Sequence, residues 1–88
     1  MRQISIIDAF ARVDQGDARI AADILAGYES AARAAGRLEE AAKLATRIQR
    51  LRVVGNRDAD YRTRLSAYSD YLTEQVENGT LAGIELID

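Results

Sequence analysis

The chain has 88 residues, 48% of them hydrophobic, a net charge of −2, and no cysteine, histidine or proline. That composition excludes a disulfide framework, a thiolate nucleophile, cysteine or histidine metal sites and an imidazole general base. The expectation is one domain over residues 1–88, non-enzymatic, with no cofactor and no metal.

No run of apolar residues approaches the roughly 18–20 of a membrane span, so no membrane partner is expected. Asp8 interrupts the N-terminal apolar run too early for a signal peptide. The location expected on these grounds is the cytoplasm.

The first segment, about residues 5–15, reads as a helix. Ser5 and Asp8 have the spacing of a capping box, Ile6, Phe10 and Val13 share a face, and Gly16 closes it. A short strand over residues 2–7 stays open as the alternative, because Ile4 and Ile6 alternate with polar neighbours. Asp17 then caps a helix over about 17–35. Its expected buried stripe is Ala21, Ile24, Leu25, Tyr28, Ala31, Ala32 and Ala35, with Arg19, Asp23, Ser30 and Arg33 outside and Gly36 as the terminating glycine.

The third segment, about 37–54, has the clearest periodicity. Leu38, Ala41, Ala45, Ile48 and Leu51 fall on one face with Leu44 beside them, and Glu40, Lys43, Arg47 and Arg50 on the other. Acids in its first turn and arginines in its last match the helix dipole. The fourth, about 57–77, carries Tyr61, Leu65, Tyr68, Leu72 and Val76 at helical spacing, and Asn78-Gly79 stops it. Residues 80–88 form a tail that either docks or pairs as a strand with the N-terminal segment. Short connections favour antiparallel neighbours. The expected fold is therefore all-α: a small antiparallel helical bundle or helical-hairpin array of three to four helices, its terminal segments open to an extended form.

Charge is unevenly divided. Residues 1–32 carry a net −2, residues 33–64 a net +5, and residues 65–88 a net −5 with no basic residue. Lys43, Arg47 and Arg50 recur along one helical face, and Arg52, Arg57, Arg62 and Arg64 surround the turn that follows. Such a group suits phosphate or carboxylate partners, or is neutralised by the acidic last third. Overall acidity makes nucleic acid the less favoured partner, and a helix-turn-helix over 38–57 fails because the periodicity runs through the required turn. Asp70, Glu74 and Glu77 share a face but lack the Glu-x-x-His partners of a bundle metal site, so a solvated acidic face is expected.

These readings converge on an interaction protein that self-associates, as a homo-oligomer, or binds a protein partner to regulate or scaffold it. Tyr61, Tyr68, Tyr71 and Leu72 are the expected contact residues, since tyrosine is enriched at interfaces. Lys43, Arg47, Arg50, Arg52, Arg57, Arg62 and Arg64 would guide association electrostatically. The alternative is a small nucleic-acid-binding regulator that sets the same arginine-rich centre on phosphates.

Overall fold

A computed structural model describes residues 2–78 and 80–88. Met1 and Gly79, the latter read above as part of a helix stop, lie outside the described residues. The order is β1 (Arg2–Ser5), α1 (Ile6–Ala11), α2 (Gln15–Ala34), α3 (Leu38–Gly55), α4 (Tyr61–Glu77) and β2 (Ile84–Ile87). The fold is all-helical apart from one two-stranded ribbon.

Both alternatives for the N-terminal segment are realised in succession. Residues 2–5 are extended, and Ser5 then caps α1 by accepting from the Asp8 amide at 3.2 Å. The helix expected to reach Gln15 stops at Ala11. Asp14 accepts from the Asp17 amide at 3.0 Å and so starts α2 three residues earlier than a cap at Asp17 would. Gly16 therefore lies in the first turn of α2 and does not close α1.

The tail pairs as a strand. β2 runs parallel to β1 in the register Arg2↔Ile84, Gln3↔Glu85, Ile4↔Leu86 and Ser5↔Ile87. Parallel pairing needs a long crossover, and here the whole helical region serves as that crossover. The Ser5 hydroxyl also donates to the Asp88 carbonyl at 2.7 Å, which ties the two ends together.

The helical ends follow local chemistry. Gly36 has φ +77°, and the amides of Gly36 and Arg37 donate to the carbonyls of Arg33 and Ala32, which closes α2 in a Schellman turn. Asp60 caps α4 through the Thr63 amide at 2.7 Å, so α4 begins at Tyr61 and not near Arg57.

α2 and α3 form an alanine-lined hairpin. Ala18, Ala22 and Ala32 of α2 and Ala41 of α3 are all buried, and their small side chains let the helices approach closely. Ile48 and Leu51 join Ala22 in the middle of the hairpin. Phe10, Ala18, Val54 and Ala67 form a second cluster where α1, α2, α3 and α4 meet. The Phe10 ring meets Tyr61 edge-on at 5.4 Å between centroids, and Tyr68 at 5.5 Å.

The C-terminus of α3 is held by side chains of both neighbours. Arg19 donates to the Gly55 carbonyl at 2.6 Å and Arg64 to the Val54 carbonyl at 2.8 Å. Cations at a helix C-terminus satisfy its orphan carbonyls and oppose its dipole. Arg19, expected on the outside, thus belongs to the hairpin junction.

The chain is flattened, 38 × 35 × 16 Å along its principal axes. α3 is its middle helix, with α2 and α4 packed mainly on either side. This is the hairpin array, not a closed bundle.

Candidate functional site

The four expected contact residues on α4 separate. Leu72 is only 8% exposed. It lies on the face of α4 turned toward the interior, so it is corrected from a contact residue to a core residue. Tyr68 packs against the Phe10 cluster and Tyr71 against the Ala22 cluster, both half-buried, with their rings 6.3 Å apart. Burial, with the neighbouring Tyr71 charge second, pushes the Tyr68 hydroxyl above the ordinary tyrosine range. Only Tyr61 is mostly exposed.

The arginine-rich centre separates as well. Arg47 and Arg50 each lie 3.5 Å from the same oxygen of Glu74, whose side chain is 13% exposed, and Arg50 also donates to the Asp70 carbonyl at 3.2 Å. Arg64 caps α3, and its guanidinium carbon stands 5.0 Å from the centre of the Phe10 ring. Three of the seven expected electrostatic residues are therefore engaged within the fold. Lys43, Arg52, Arg57 and Arg62 are exposed and make no ion pair among the described residues. The acidic last helix does part of the neutralising, through Glu74.

An open groove of about 430 Å³ lies between α3 and α4 and brings Arg50 and Arg62 together with Thr63, Ser66 and Asp70. The Asp70 carboxylate sets a negative charge among the cations, so the groove is not a uniform anion site. On its other side Asp70, Glu74 and Glu77 line a second depression with Arg50. Among the described residues no group of acidic side chains is placed to hold a metal ion.

The largest departure from the sequence reading is on α2. Ile24, Tyr28, Ala31 and Ala35, expected in the buried stripe, are exposed, while Ala18 and Ala22 take their place. The interhelical contact selects alanine because only small side chains permit so close a hairpin. Of the larger residues Leu25 packs beside the alanines as expected, and Ile20, Ile24 and Tyr28 are left outside. Ile20 (59% exposed), Ile24 (56%) and Tyr28 (62%) follow one another at four-residue intervals. Gly27, Ala31 and Ala35 extend the same face. A helix apolar on both sides is ordinarily covered on both sides. The sequence signal was present: α2 has more apolar positions than one stripe can hold.

A smaller exposed pair, Ile7 and Ile87, lies near the terminal ribbon. No described helix is long and apolar enough to cross a membrane. No known protein family, curated protein or solved structure matches the chain.

Proposed function

We propose that the chain is a non-enzymatic helical interaction protein that presents a surface to a protein, its own copy included, to regulate or scaffold it. The observation that supports this reading is the outer face of α2. Three large apolar side chains lie in one line there, each more than half exposed. Singly exposed apolar residues are normal, but a contiguous stripe marks an interaction surface. Tyr61 is a second exposed anchor at the start of α4.

A protein partner is favoured over nucleic acid because Arg47, Arg50 and Arg64 are already engaged inside the fold. The exposed cations that remain are interspersed with the exposed acids Asp58, Asp60 and Asp70. Phosphate binding draws its affinity from clustered, unopposed cations.

The test places a photoreactive benzophenone amino acid at Tyr28, and as a control at the exposed Ala42 of α3, in the producing cell. The expected result is a protein adduct of one defined mass at position 28 and none at position 42. Irradiation that yields no protein adduct at position 28 or at position 61 would overturn the interaction reading.

A further inference from the structure

α2 is ordered by side-chain size in two directions. Across the helix, the alanines and Leu25 face α3, and Ile20, Ile24 and Tyr28 face outward. Along its outer face, the large residues Ile20, Ile24 and Tyr28 occupy the N-terminal part and the small residues Gly27, Ala31 and Ala35 the C-terminal part. We propose that this face is a two-fold interface with a second copy of the chain, the two α2 helices crossing antiparallel about a point between Gly27 and Tyr28. The proposal deepens the interaction reading above and rests on it.

A two-fold contact uses the same patch twice, so the patch must fit itself. About the named point Ile20 of one copy meets Ala35 of the other, Ile24 meets Ala31, and Tyr28 meets Gly27. Every large side chain then faces a small one. A parallel pairing would set isoleucine on isoleucine and alanine on alanine, leaving a gap over half the length. Building a side chain at Gly27 meets nothing within 4 Å, so the space above that backbone is open to the opposing tyrosine ring. The stripe from Ile20 to Ala35 carries no charge, so like meets like without repulsion. Asp17, at its N-terminal end, is carried toward the end of the other α2 that leads into Arg37.

The chain exposes more surface than a compact monomer of its mass. The chain exposes 5734 Å², whereas a compact monomer of 9.7 kDa exposes about 5,100 Å². The excess is roughly 600 Å² per chain, and a specific interface buries on the order of 600–1,000 Å² per partner. The terminal ribbon offers no comparable stripe, because only Ile7 and Ile87 are exposed there.

Sedimentation of the chain from micromolar to submillimolar concentration is expected to give twice the chain mass. Ile24→Glu, which buries a carboxylate in each half of the contact, should weaken association about 100-fold or more while leaving the helical circular dichroism unchanged. Because the chain has no cysteine, single cysteines report the register directly. Gly27→Cys should oxidise to a linked dimer and Ala42→Cys should not; mixed Ile24→Cys and Ala31→Cys chains should link to each other. A wild-type chain monomeric throughout overturns the second copy as occupant, and a position-28 adduct to a different protein would then leave the interaction reading standing. A dimer that survives Ile24→Glu, or that links as readily through Ala42→Cys, overturns the α2 interface.

Discussion

Gly55 and Gly27 are both helical glycines, yet alanine should have opposite effects at the two positions. A Cβ at Gly55 would lie 2.7 Å from Arg19 Cγ, 2.9 Å from the Gln15 carbonyl oxygen and 3.2 Å from the Arg19 amide nitrogen. The arginine stem can swing, but the Gln15 carbonyl and the Arg19 amide belong to the first turns of α2 and move only if that end of the helix moves. Such a shift also stretches the 2.6 Å bond from Arg19 to the Gly55 carbonyl. Overpacking of this kind costs about 1–3 kcal/mol, and weakening a charge-assisted bond adds up to about 1.5–3 kcal/mol. The helical preference for alanine returns at most about 1 kcal/mol. The net loss should be about 2–4 kcal/mol, lowering the melting midpoint by on the order of 10–20 °C in a domain of this size. At Gly27 nothing lies within 4 Å, so alanine should stabilise by about 0.5–1 kcal/mol. Thermal and urea unfolding followed at 222 nm would measure both, in an Ile24→Glu background so that association does not enter. A Gly55→Ala chain as stable as its parent would refute the close approach of α2 to the end of α3.

The Tyr68 hydroxyl is raised above the ordinary tyrosine range by burial, so it favours folding while neutral. That stability is present below about pH 10, where tyrosine titrates in an unfolded chain, and is lost as pH rises through the higher folded value. Absorbance at 295 nm should show a late-ionising tyrosine step, and Tyr68→Phe should remove it. Asp60 behaves in the opposite sense. The backbone amide of Thr63, and then its hydroxyl, hold the carboxylate below its ordinary value, so its contribution is present above about pH 4 and is lost as pH falls through the folded value. Melting midpoints measured between about pH 5 and pH 2 should fall less steeply for Asp60→Asn than for the parent. Arg64→Met keeps an apolar stem over Phe10 but leaves the buried Val54 carbonyl without its 2.8 Å donor. A loss of about 1–3 kcal/mol is expected, read as a lower urea midpoint at unchanged slope. No change in midpoint would mean that the guanidinium does not cap α3.

The sequence by itself determined what depends on neighbours in the chain. Ser5 and Gly36 cap or close helices where their spacing predicts, because a cap needs only the amides or carbonyls of the next turn. The α3 helix differs from its expected bounds by a residue at each end. Asp14 won over Asp17 because either acid, three residues apart, can cap and local spacing does not rank them.

Only the tertiary structure decided which apolar residues of α2 are covered. Periodicity finds a face but cannot choose between two apolar faces on one helix; the closeness of the α3 contact chose the alanines and left Ile20, Ile24 and Tyr28 outside. The arginines follow the same logic. Charge counting locates the basic centre, but whether a guanidinium reaches solvent, Glu74 or the carbonyl end of α3 depends on which helix lies beside it. The parallel pairing of residues 2–5 with 84–87 is the extreme case, since those strands are joined by nearly the whole chain and no local signal carries their register.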